Sequence, residues 1–256
     1  MIAPRSLLLG DLPIFGRSNT DAAPKVLALH GWGRTSRDFD WLLATDIPAI
    51  ALDLPGFGQT PLPSSEWGTA DYTDAVIAAI DSRSWNDLVI VGHSRGGVVA
   101  ALLAEQRPDL VHGLVLTGAP LVRPSWSAPK TKAPATFRAA KLLNKLKIVP
   151  DSIMEKQRQS HGSADYRAAS QTLRPVLVRM VNENYDKALR SLGLKHIPSA
   201  LVWGADDTAA PTTLVERLAE ILHPLLVTVG AGKGHDTVNQ MQPELLAAIE
   251  KVLAEP

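Results

Sequence analysis

The chain has 256 residues, 26 basic and 26 acidic side chains, seven histidines and no cysteine. That length suits one large domain, or one domain with an insertion, and a 45% hydrophobic, 20% charged composition excludes a disordered or fibrous chain. Without cysteine there is no disulfide framework, no thiolate nucleophile and no Cys-ligated zinc.

Near the N-terminus, Leu7-Leu8-Leu9 is far too short an apolar run for a signal peptide or a membrane span. A cytoplasmic protein is expected. Residues 7–10 and 14–16 read as a short hairpin at a sheet edge. Runs at 25–30 (KVLALH), 48–53 (PAIALD), 88–92 (LVIVG), 111–117 (VHGLVLT), 199–203 (SALVW) and 225–229 (LLVTV) are apolar without alternation, so they read as buried strands. Helical stretches at 70–80, 95–106, 212–222 and 243–253 lie between or after them. This order predicts an α/β fold: a mostly parallel, twisted sheet with helices on both faces.

Segment 121–195 breaks the alternation. It holds no convincing strand, and helical stretches are expected near 135–147, 151–160 and 164–190. It also holds 15 Lys and Arg against five Asp and Glu, a net +10. The remainder therefore carries −10, although the whole chain sums to zero. The change in charge marks a helical insertion within a core made of 1–120 and 196–256.

Gly92-His93-Ser94-Arg95-Gly96 matches G-x-S-x-G, a pattern this composition would give by chance about 0.08 times per chain. A strand precedes it and a helix-compatible run follows. Such a turn holds the serine in a strained conformation at a helix N-terminus, and the flanking glycines remove clashing Cβ atoms. A serine hydroxyl is a poor nucleophile alone, so the chemistry needs a histidine base and a carboxylate to orient it.

Three further motifs follow strands. They are His30-Gly31-Trp32-Gly33, Trp203-Gly204-Ala205-Asp206-Asp207-Thr208-Ala209-Ala210-Pro211 and Gly232-Lys233-Gly234-His235. Together with Asp53-Leu54-Pro55-Gly56-Phe57-Gly58, they make the chain resemble the α/β-hydrolases along essentially its whole length. The order Ser94, Asp207, His235 is the one expected of that fold. The resemblance implies a serine hydrolase with Ser94 as nucleophile, His235 as general base and acid, and Asp207 as the acid. Its oxyanion hole would use the backbone N–H groups of Trp32 and Arg95. The insertion at 121–195 would be a helical cap over the nucleophile.

Alternatives exist at several positions. Asp206 could replace Asp207 if the turn differs by one residue. Asp236 adjoins the histidine too closely to pair with it, and Asp53 is expected to organise its own loop. Among histidines, His93 occupies a variable position of the turn and His30 is expected to brace the oxyanion loop; His112, His161, His196 and His223 have no motif around them. Trp32 could line an acyl pocket or simply pack. Ser at the elbow, where other branches carry Asp, argues against dehalogenase and epoxide hydrolase chemistry. Residues 230–235 lack both the Walker spacing and the dinucleotide fingerprint, so nucleotide binding is not expected; no nucleic-acid partner is expected either. No H-E-x-x-H or similar metal motif occurs, and nothing calls for a cofactor.

The expected activity is hydrolysis of a small-molecule or acyl carboxylic ester through an acyl-enzyme on Ser94. Within the family, the motifs after the first two long strands look most like pimeloyl-acyl-carrier-protein methyl ester esterases, which more usually carry an apolar residue where Arg95 stands. A perhydrolase, a C–C hydrolase and a ligand receptor of the same fold are the other readings. Three accounts of the +10 segment stay open: solvated helix faces, docking on the −10 core, and recruitment of an anionic ester or an acyl carrier protein. Acyl length, alcohol group and oligomeric state are not legible.

Overall fold

The alternation of short apolar runs with amphipathic stretches is realised as one sheet flanked by helices. The computed structural model describes residues 5–9, 13–61, 67–122 and 164–256. In chain order the described strands are β1 (Arg5–Leu9), β2 (Ile14–Ser18), β3 (Val26–Leu29), β4 (Ala49–Leu52), β5 (Leu88–His93), β6 (Val111–Thr117), β7 (Ser199–Gly204) and β8 (Leu226–Gly230). The helices are α1 (Asp40–Leu43), α2 (Thr69–Asp81), α3 (Arg95–Gln106), α4 (Ala164–Ala168), α5 (Leu173–Asn182), α6 (Asp186–Gly193), α7 (Thr213–Leu222), α8 (Thr237–Gln240) and α9 (Gln242–Leu253). The expected stretches at 135–147 and 151–160 lie outside the described residues.

The sheet order is β1-β2-β4-β3-β5-β6-β7-β8. The β1–β2 and β2–β4 pairs are antiparallel, and every later pair is parallel. Side chains alternate between two cores, as strand geometry demands. On one face Leu27, Leu29, Leu88, Ile90, Leu116 and Trp203 pack with residues of α2, α3, α6 and α7. On the other, Val26, Ala28, Val89, Val91, Val115 and Val202 pack with Phe39, Leu42, α8 and α9. All six residues of β5 are buried. This central strand lies where the order reverses: the chain builds β4 on one side of β3, then adds β6, β7 and β8 beyond β5. Loops at the C-terminal ends of β3 and β5 therefore open a crevice at the switch point.

Two expectations need correction. The run at 225–229 is not a buried strand. β8 is the sheet's edge, with Val227 43% and Val229 46% exposed. Nor is 164–190 one helical stretch, because the chain breaks after Ala168 and again after Asn182. Glu183 is extended there (φ −66°, ψ 153°), and the Asn184 side-chain oxygen accepts a 2.8 Å bond from the Asp186 N–H at the start of α6. A short polar side chain that bonds its neighbour's backbone favours such a restart.

Candidate active site

Ser94 stands between β5 and α3 with φ +52° and ψ −117°, a conformation sparsely populated by any residue bearing a Cβ. The turn tolerates it because its glycines let backbones meet. A Cβ on Gly92 would run into the Cα of Gly97, and one on Gly96 into the carbonyl oxygen of Leu29. The Ser94 N–H is tied to the Thr117 carbonyl at 2.8 Å, which fixes the elbow to β6.

The acid loop leaves β7 at Gly204. Buried Trp203 donates from Nε1 to the Ala210 carbonyl at 2.7 Å, closing the loop on itself. Within it the buried Asp207 carboxylate accepts from the N–H groups of Ala209 (2.9 Å) and Ala210 (2.8 Å) through Oδ1. Its other oxygen, Oδ2, accepts from His235 Nδ1 at 2.7 Å. Asp206 is exposed, and its N–H bonds the Lys233 carbonyl at 2.8 Å, lacing the acid loop to the histidine loop. The structure thus brings Asp207, not Asp206, to the histidine.

His235 Nε2 lies 3.0 Å from Ser94 Oγ. With Nδ1–H committed to Asp207, Nε2 is the acceptor and the serine hydroxyl donates. Gly118 (φ +57°) clears room for the pair, since a Cβ there would come within 3.1 Å of the imidazole. The result is an unbroken chain from hydroxyl to imidazole to buried carboxylate.

Trp32 and Arg95 follow the neighbouring strands β3 and β5, and Gly31 abuts Ser94. The Trp32 ring meets Phe57 edge-on at 5.0 Å. His30 is buried, donates from Nδ1 to the Gly31 carbonyl at 2.7 Å, and accepts from the Leu54 N–H at Nε2, 2.9 Å. It therefore braces the Gly31–Gly33 loop against the loop after β4. Asp53 organises that second loop, accepting from the N–H groups of Ser36 (2.7 Å) and Gln59 (2.9 Å). The Arg95 side chain turns away from the turn and donates to the Met180 carbonyl of α5 at 3.3 Å; burial draws its pKa below the ordinary value.

Several contacts were not legible in the motifs. His93 donates from Nε2 to the His235 carbonyl at 2.9 Å, Asp236 pairs with Arg34 at 2.9 Å, and Thr117 bonds Thr237 at 2.6 Å. Each restrains the histidine loop from a different element. Among the described residues no group of three or more His, Cys, Asp or Glu could hold a metal ion, and no helix is long and apolar enough to cross a membrane.

This geometry coincides with a match to the model of the Alpha/beta hydrolase family over residues 26–249. The chain belongs to the alpha/beta hydrolase family. Among relatives of this chain, a pimeloyl-[acyl-carrier protein] methyl ester esterase of Neisseria meningitidis serogroup C is 40% identical over 104 residues, 40% of this chain and 39% of that protein. A biotin biosynthesis bifunctional protein of Cellvibrio japonicus is 27% identical over 245 residues, 89% of this chain and 47% of that one. The matched stretch covers less than half the length of either relative. The crystal structure of a bromoperoxidase from Bacillus anthracis superposes with a TM-score of 0.71 at 17% identity, over 98% of this chain and all of that one. At that identity the likeness shows the fold alone, and the fold hosts more than one chemistry.

Proposed function

We propose that this hydrolase is a serine-dependent carboxylesterase working through an acyl-enzyme. The observation that carries the reading is the Ser94–His235–Asp207 chain, with bonds of 3.0 and 2.7 Å and a buried carboxylate at its end. Ser94 Oγ attacks the acyl carbonyl as its proton passes to His235 Nε2. The carbonyl oxygen becomes an oxyanion, held by the N–H groups of Trp32 and Arg95. Its collapse expels the alcohol, which takes the proton from His235. Water, deprotonated by His235, then attacks the acyl-enzyme and releases the acid and free Ser94. Asp207 keeps Nδ1 protonated and stabilises the imidazolium. Each oxyanion donor contributes about 2.7–4 kcal/mol to the transition state.

The cap reading of 121–195 belongs to the same proposal. The Arg95–Met180 bond supports it, because it ties α5 to the residue after the nucleophile. A more specific reading, hydrolysis of the methyl ester of an acyl-carrier-protein-bound dicarboxylic acid, is favoured by the 40% identity to the Neisseria esterase.

The test is a panel of p-nitrophenyl and methyl esters run on wild type beside Ser94→Ala. Rapid turnover lost in Ser94→Ala and His235→Ala, with fluorophosphonate labelling lost in step, is the expected result. Asp207→Asn should lower kcat by about 10⁴, since it favours the wrong imidazole tautomer. Asp206→Asn should leave it near wild type. Full activity in Ser94→Ala would end the mechanism, and slow turnover with tight ligand retention would indicate a receptor instead.

A further inference from the structure

His93 precedes the nucleophile, and its buried ring sits between two other parts of the site. On one side Nε2 donates to the backbone carbonyl of His235 at 2.9 Å, and the two imidazole centroids are 5.1 Å apart. On the other, the ring edge faces Gly31 closely enough to exclude a side chain: a Cβ there would lie 2.9 Å from His93 Nδ1 and 3.2 Å from Cε1. Gly31 directly precedes Trp32, a proposed oxyanion donor. Since Nε2 must carry the proton to donate, Nδ1 is bare, and it finds no partner among the described residues. A buried imidazole with one nitrogen unpaired is disfavoured on its own account.

We infer that His93 is a positioning residue that sets the base loop and the oxyanion loop at fixed distances from Ser94, through its Nε2–H bond to the His235 carbonyl and its ring contact with Gly31. This inference rests on the triad reading. The ring itself is buried, 1% exposed, away from solvent. It holds the backbone of His235 while Asp207 holds the side chain, so the imidazole has little freedom to tilt away from Ser94. Burial, seconded by the nearby His235, keeps His93 neutral with its pKa down at about 3, so the donated bond persists through the working range of the enzyme.

The test compares His93→Gln with His93→Met. Gln can place Nε2–H where the histidine Nε2–H stood; Met has similar reach and no donor. With a p-nitrophenyl ester, His93→Met is expected to lower kcat by roughly ten- to a hundredfold while KM changes little, as a sub-ångström shift of a reacting group does. Fluorophosphonate labelling should slow in parallel. His93→Gln should recover most of that loss. Wild-type kcat in His93→Met would overturn the inference, and so would equal impairment of both variants, which would reduce His93 to a filler of volume. Should His93→Met fail to fold, nitrogen-15 NMR of the wild-type protein at pH 7 decides: the expected signature is protonated Nε2 with bare Nδ1. The opposite tautomer or a charged ring would overturn it. Ser94→Ala run alongside separates the two failures. Full activity there removes the triad, whereas its inactivity beside an unaffected His93→Met removes only the role of His93.

Discussion

Burial holds the imidazoles of both His30 and His93 below the ordinary histidine pKa, and His93 falls to about 3. The unfolded chain takes up these protons near pH 6.5, whereas the native protein refuses them. Stability from this source is therefore fully present above pH 6.5 and declines as the pH falls towards the native pKa. At pH 5 the loss from His93 alone amounts to about 2 kcal/mol at most. Urea denaturation at pH 7 and pH 5 should show this loss in wild type and a correspondingly smaller one in His93→Gln. An identical pH response in both would mean that His93 titrates alike in the folded and unfolded states. The residues of the proposed triad each carry a local signature: glycines around Ser94, Trp203 and Pro211 around Asp207, glycines before His235. His93 had a weaker sign. It shares the parity of Val89 and Val91 on β5, and those residues face the core that includes Val238 and Met241, just after His235. Its bond to a backbone carbonyl 142 positions away leaves no trace in spacing.

At the scale of elements, central strands announce themselves because both their faces are apolar, and β3, β5 and β7 fall where the runs at 25–30, 88–92 and 199–203 place them. The run at 225–229 is equally apolar. Five residues do not encode whether a strand has a neighbour on one side or two, so an edge strand and a buried one look alike. The joint between α2 and the segment from α4 to α6 was also invisible, since it depends on residues more than a hundred positions apart. The Thr69 N–H, in the first turn of α2, lies 3.2 Å from each Glu183 carboxylate oxygen. The Tyr185 hydroxyl lies 2.9 Å from Glu183 Oε2 and 2.8 Å from Thr69 Oγ1. A carboxylate at a helix N-terminus satisfies an otherwise unpaired N–H and complements the positive end of the dipole. Glu183→Ala should therefore destabilise the protein by about 1–2 kcal/mol, lowering the thermal midpoint by roughly 2–8 °C. Glu183→Gln, which keeps an acceptor without the charge, should lose less. A midpoint unchanged in Glu183→Ala would show that the joint contributes nothing.

On the scale of the whole molecule, charge is the feature that the neutral total conceals: +10 within 121–195 and −10 elsewhere. The three accounts of it make different predictions. A basic surface beside the site raises on-rates for anions by about 10–10³, a gain that shrinks steeply with salt. Docking of the segment on an acidic core would instead make stability, not substrate choice, fall with salt. Mere solvation predicts neither. The measurement is kcat/KM for a neutral and an anionic ester at low and high ionic strength, with a melt at each. Recruitment requires a steep fall for the anionic ester alone. The structure also guides the choice of charge reversals. Arg174 stacks on the Tyr166 ring at 5.5 Å and donates to the Tyr166 carbonyl, and Arg179 pairs with Glu183 at 3.8 Å. Reversing Arg174 with Arg179 would disturb packing as well as field. Reversing Arg138 with Lys141, whose placement lies outside the described residues, is the paired comparison. A loss of rate with the anionic ester in both double variants, with the neutral ester unaffected in the Arg138 and Lys141 reversal, is the expected result. Equal salt responses for the two esters would defeat recruitment, and a melting temperature that falls with salt in wild type alone would assign the asymmetry to docking.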